Sequence, residues 1–188
     1  VLAPMAGISL DGSTVETPRI ATHKSEPVDW TPILPVPSDA PEPDFSHFKH
    51  GQPTTVWPYL DASGAVLGYC RRFDTSERKE IIPLTYCSHP TKSDAWRPKQ
   101  FQAPRPLYGL DRLAKMPSNL PVLIVEGEKA CDAAQRLLPN HVCISWPGGS
   151  QALHLADWTP LTGRNVTILP DADGPGLKAA NTIMGLLS

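Results

Sequence analysis

The run PVLIV, residues 121–125, passes without a spacer into Glu126, Gly127 and the pattern EKACDAAQRLL, so an apolar strand stops at a carboxylate and turns straight into a helix. A short, continuous apolar run of this kind reads as a strand buried on both faces, the signature of a parallel sheet covered by helices. The alternation recurs twice: HVCISW is followed by SQALHLADW, and NVTILP by GLKAANTIMGLL. Three strand–helix pairs joined by right-handed crossovers predict three parallel neighbours in one sheet, with the strand order left open. Helical spacing predicts that the first of these helices turns Ala130, Ala133, Ala134, Leu137 and Leu138 inward.

In an open α/β sheet, ligands bind outside the carboxyl ends of the strands. The first strand ends in Glu126-Gly127, the second in WPGGS (residues 146–150) and the third in PDADGPG (residues 170–176). Three carboxylates, Glu126, Asp171 and Asp173, are thereby predicted to share one rim. Such a cluster repels itself without a cation, and hard oxygen donors suit Mg²⁺ or Mn²⁺. Asp171 and Asp173, two residues apart across a turn, can reach one ion, while Glu126 can ligate it or stay free as a base. Gly148, Gly149 and Ser150, with Ser150 as expected N-cap, and Gly176 in its turn offer backbone N–H groups at helix starts to phosphate. Gly127, Lys129 and Lys178 sit beside the acids as further phosphate contacts. Each motif alone is ordinary: EGEK is also a solvated helix start, DADG a simple turn, PGGS a loop. Pro175 spoils a calcium-loop reading of DADG. Their joint occurrence after successive parallel strands is what carries information.

Upstream of this unit the patterning differs. Residues 1–52 hold eight of the 22 prolines and few large apolar residues, which predicts a linker or extended strap, partly polyproline II. Residues 53–117 contain TTVWPYLD, AVLGYCRRFD and KEIIPLTYCS, a β-rich module of about three strands with a hairpin turn at DASG, followed by a short helix in RPLYGLDRLAKMP that carries Leu110, Leu113 and Ala114 on one face. The remainder, 118–188, is the α/β unit. The chain begins with Val and ends within a helical pattern, so a piece of a longer protein is expected.

Composition narrows the functional classes. A net charge of -2 over 188 residues gives no global attraction to nucleic acid or membrane. No run approaches a membrane span, and nothing in the sequence suggests secretion, so reduced thiols in a cytoplasmic setting are expected; the four cysteines form no CxxC pair, which argues against structural zinc, with Cys70, Cys87 and His89 as the one grouping that could serve it. Locally, residues 71–105 carry eight basic residues against four acids, interleaved with Trp96 and Phe101. That mixture suits single-stranded nucleic acid, with Arg71, Arg72, Lys99 and Arg105 as the expected contacts, although a solvated β-surface gives the same pattern.

At Glu126-Gly127 and Asp171-Ala172-Asp173 the α/β unit resembles a Toprim domain, the metal-binding module of bacterial-type primases, topoisomerases and related nucleases. GYCRRFDTSERKEIIPLTY and WRPKQFQAPRPLYGLDRL resemble the region upstream of Toprim in phage- and plasmid-type primases and primase-helicases. The resemblance implies a Toprim-type parallel sheet flanked by helices and preceded by the small β-rich module. It implies a DNA primase core that synthesises RNA primers on a single-stranded DNA template from NTPs, with a replicative helicase as partner. In that reading Glu126 binds metal or acts as base, and Asp171 and Asp173 hold Mg²⁺. A Toprim nuclease and a non-catalytic nucleic-acid-binding module are the alternatives.

Overall fold

A computed structural model describes residues 29–187, and in them the two patterning regimes become two sheets. The antiparallel one contains β1 (Thr31–Pro32), β2 (Thr55–Leu60), β3 (Val66–Asp74), β4 (Lys79–His89) and β5 (Lys92–Arg97). After α1 (Leu110–Lys115), the parallel sheet contains β6 (Val122–Val125), β7 (Val142–Ile144) and β8 (Val166–Leu169), with α2 (Glu128–Leu137) between β6 and β7 and α3 (Gly174–Leu187) after β8.

DASG makes the expected hairpin turn, because the Asp61 carboxylate accepts the Ser63 and Ala65 backbone N–H groups at 2.8 and 2.9 Å. β4 is the spine of its sheet: its first half pairs with β3, and its second half with β5 and briefly with β1. Strand β5 is not anticipated by patterning. KSDAWR has one aromatic and no alternation, and it is held by ladder hydrogen bonds at a sheet edge, where apolar patterning is not required.

The parallel strands lie in the order β7-β6-β8, in register Val122↔Val142 and Val122↔Val166. The central strand β6 is buried throughout and feeds two cores. Val122 and Ile124 pack with Leu107, Leu113, Leu153, Ala179 and Ile183 under α3, whereas Leu123 and Val125 pack with Cys131, Trp57, Tyr59, Cys70 and Phe101. The second core joins both modules, so the sequence boundary near residue 117 runs through shared packing.

Three local expectations are corrected. The segment SQALHLADW forms a 3-10 helix over Ser150–Leu155 rather than an α-helix, and its N-cap is Gly149, without a side-chain capping bond, instead of Ser150. In α1 Leu113 is buried but Ala114 is exposed. In α2 the apolar spacing finds the inner face only in part: Ala134 packs against the second core, but Ala130 is exposed, Leu137 is 79% and the C-cap Leu138 39% exposed, and Glu128 and Cys131 are the buried residues. The helix is anchored by polar groups, which hydropathy spacing does not count.

Of the proline-rich segment, expected as linker or strap, residues 1–28 lie outside the described residues, and residues 29–52 take the strap form. Ile33 N–H donates to Tyr86 O at 2.8 Å, Val36 N–H to Val66 O at 2.7 Å, and Trp96 Nε1 to Pro41 O at 2.7 Å. Carbonyls of Phe45 and Ser46 accept from Arg71 Nη1. Removing residues 1–47 therefore strips partners from buried groups; at ~1–3 kcal/mol for each orphaned group, at least ~2 kcal/mol is lost. The melting temperature is expected to fall by about 4–8 °C in a calorimetric scan, at roughly 2–4 °C per kcal/mol for a chain of this size. An unchanged transition would contradict the packed strap.

Candidate active site

The β6–β8 register builds the site. Val125 pairs with Leu169, so the next residues on the two strands, Glu126 and then Pro170-Asp171, leave the sheet side by side. Proline at 170 has no N–H to continue the ladder, and the chain turns out to Asp171. Asp173 then starts α3: its Oδ1 accepts the Gly176 N–H at 2.7 Å, an N-cap bond. Gly176 is required there, because a Cβ would collide with the Asp171 carbonyl. On the other strand, Gly127 has φ +79°, a conformation that side-chain-bearing residues rarely adopt, and it swings the chain from β6 into α2.

Glu126 is held above its ordinary value of 4.5, chiefly by burial and then by the charges of Asp171 and Asp173, with the Asp171 N–H partly offsetting them. Its Oε1 is buried without a hydrogen-bond partner. These are the marks of a carboxylate positioned for a cation or a proton rather than for a structural bond.

Two adjoining clefts of about 390 and 410 Å³ share Glu126, Gly127, Glu128, Lys79, Ile81 and Asp171. The first extends to Gln100, Trp146, Gly148 and Gly149. The second extends to Trp57, Arg72 and Lys129. One rim therefore carries acids from the parallel sheet and the facing rim carries cations from β3 and β4. Hairpin register explains the second set: Asp74 pairs with Lys79 and Arg72 with Ile81. Arg72 is itself forked onto Asp74 at 2.6–3.1 Å, so part of its charge is already neutralised.

The expected residues thus divide. Glu126, Gly127, Lys129, Gly148, Gly149, Asp171 and Arg72 line the clefts. Ser150 and Lys178 instead line a small hollow between the 3-10 helix and α3, and Gly176 lies buried beneath Asp171. Arg71 is corrected as a nucleic-acid contact: it is 2% exposed, under the strap and beside the Phe73 ring. Lys99 Nζ pairs with Asp29 at 2.6 Å. Arg105 lies against the Gly148 loop rather than on the β-surface. Lys79, Ile81, Gln100 and Trp146 were not singled out from sequence; for Lys79 the signal was available, since a basic residue opposite Asp74 in a hairpin shares the side of Arg72.

The fit to a divalent cation rests on the orphaned Glu126 oxygen, the neighbouring Asp171 and an all-oxygen donor set; Asp173, expected as a third ligand, lines neither cleft and is spent on capping α3. Among the described residues no group of three or more His, Cys, Asp or Glu side chains is gathered to hold a metal unaided, for Cys70, Cys87 and His89 as for the acids. An ion here would keep much of its shell as water or substrate oxygen, as Mg²⁺ commonly does. No helix of the described residues is long and apolar enough to cross a membrane.

The raised Glu126 pKa has a thermodynamic consequence. The folded state holds this proton to higher pH than the unfolded one, so its stabilising contribution is complete at low pH and lost as pH rises through the folded value. Metal-free Glu126→Gln should therefore melt above wild type at pH 8, and the gap should close as pH falls towards 4.5. A pH-independent difference would contradict the assignment.

No curated protein matches. Two solved structures are similar: the DnaG catalytic core, at 18% identity and a TM-score of 0.45 over 70% of this chain and 39% of that one, and the DnaG primase catalytic domain bound to ssDNA, at 17% and 0.45 over 71% and 40%. The chain thus spans about two fifths of the length of those proteins. Residues 45–172 match the family model described as "Domain of unknown function (DUF6371)", and the chain belongs to that family.

Proposed function

We propose that this chain carries a primase-type nucleotidyl-transfer site, which joins ribonucleotides on a single-stranded DNA template with Mg²⁺ or Mn²⁺. The observation that carries the reading is the partly buried Glu126 carboxylate, one oxygen of it without a partner, beside Asp171 and across a cleft from Arg72 and Lys79. The motifs after β6 and β8 agree with it, as does the resemblance of the surrounding sequence to phage- and plasmid-type primases.

Glu126 and Asp171 are the residues that would hold the cation, while Asp173 caps α3. A cation bound there would neutralise phosphate charge during in-line displacement. Glu126, with its proton affinity raised, is suited to accept the proton of an attacking hydroxyl. Lys79, Arg72 and Lys129 supply positive charge for phosphates, and Lys79 reaches the cleft from the opposite module. The Gly148-Gly149 turn leaves that end of the cleft free of side-chain bulk. Trp146 and Ile81 form apolar wall suited to a base.

The test is incubation with single-stranded DNA, labelled NTPs and Mn²⁺, using the longest chain that contains this segment. Short labelled oligonucleotides are expected. Glu126→Gln and Asp171→Asn should each reduce synthesis to below about one per cent, corresponding to a barrier increase of ~2.7 kcal/mol or more. Shortening of the DNA without synthesis would make the site a nuclease. Binding that ignores both metal and substitutions would make the chain a non-catalytic module.

A further inference from the structure

Glu128 is the second acid of the EGEK motif, yet it does not share the setting of Glu126. It is 7% exposed, and Tyr59 OH donates to its Oε1 at 2.7 Å. One helical turn further, Asp132 accepts Trp57 Nε1 on Oδ2 at 3.0 Å and Tyr108 OH on Oδ1 at 2.9 Å, and Arg112 Nη1 lies 3.3 Å from Oδ1. The acceptors belong to the parallel module; Trp57 and Tyr59 belong to β2 of the antiparallel one.

The spacings match. Residues four apart on a helix rise about 6 Å. Residues two apart on a strand are separated by about 6.7 Å and point to the same face. Glu128 and Asp132 on α2 therefore meet Tyr59 and Trp57 on β2 as two teeth of one clasp. This also explains the helix's seating: the inner face is partly polar because it is bonded, and the leucines are left outside.

We propose that Glu128 and Asp132 are positioning residues for the cleft. They act on Glu126 through Gly127, a hinge with no neighbour within 4 Å of a hypothetical Cβ. Gly127 follows β6, its carbonyl accepts the Cys131 N–H at 3.1 Å, and the next residue is fixed by the Glu128–Tyr59 bond. The same clasp sets how closely Lys79 and Arg72, on the β3–β4 hairpin, approach Glu126 and Asp171. The part of the proposal that concerns metal rests on the proposed function; the part that concerns geometry does not.

Two readouts separate these parts. Spin labels at exposed Glu77→Cys and Arg136→Cys report the distance between the modules, the native cysteines being free but buried. Mn²⁺ affinity by electron paramagnetic resonance reports the Glu126–Asp171 site. The pair Glu128→Ala with Asp132→Ala should broaden the distance distribution and weaken Mn²⁺ binding on the order of tenfold. Glu128→Gln with Asp132→Asn keeps one acceptor oxygen for Tyr59 and one for Trp57, at the loss of the acceptor that faces Tyr108 and Arg112, and should restore both readouts in large part. If the alanine pair does not fold, Tyr59→Phe removes one hydroxyl alone and should produce the same two changes to a smaller degree. An unchanged distance distribution in the clasp variants overturns the proposal, as does a broadened distribution with unaltered Mn²⁺ affinity. If wild type binds no Mn²⁺, the metal reading fails and the distance measurement alone decides the clasp.

Discussion

The pairing of β6 with β8 is the constraint on which the remainder of the site depends. Parallel strands in register bring their carboxyl ends to one edge, so the residues that follow Val125 and Leu169 become neighbours although 44 positions separate them. Burial first, and then the charge of the neighbouring acid, raises the proton affinity of Glu126, and one of its oxygens is left without a partner. A fold selected for stability alone has no reason to retain such a pair, because each buried orphan costs ~1–3 kcal/mol. Strain of this kind is typical of functional sites.

The second structural theme is the use of buried polar bonds where apolar contacts would be expected. Helix α2 docks through Glu128, Cys131, Asp132 and Gln135; the Gln135 side chain accepts the Cys143 N–H and donates to the His141 carbonyl, both at 2.9 Å. Such bonds are directional, and a helix held by them has one seating, whereas alanines and leucines permit sliding. Burial pushes the Tyr108 hydroxyl well above the ordinary tyrosine range, with the Asp132 charge adding to it, so this hydroxyl stays a donor at any working pH. The seating matters because α2 begins immediately after the acid that lines the cleft.

Much of this was legible in the sequence, for identifiable reasons. Parallel strands advertise themselves as short apolar runs, and the topology of crossovers forces their carboxyl ends together; hence Glu126 and Asp171 were accessible from pattern alone. The inner face of α2 was not, because hydropathy spacing ranks Leu137 above Glu128 and cannot see that Tyr59 waits on the other module. Arg71 was misassigned for the same reason: a guanidinium in a basic run counts as surface until the strap that covers it is placed. The 3-10 helix escaped because SQALHLADW fits either helical period over so few residues. Asp173 was found as an acid, but its capping bond to Gly176 depends on where α3 starts.

The central claim is that Glu126 and Asp171 together form a divalent-cation site. Calorimetric titration of Mn²⁺ into the protein tests it most directly. The account predicts one site in wild type, weakened at least tenfold, about 1.4 kcal/mol, by Glu126→Gln and by Asp171→Asn, while Asp94→Asn, on the exposed edge strand β5, binds as wild type. Equal affinity in wild type and both carboxamide variants would contradict it and move the cation elsewhere.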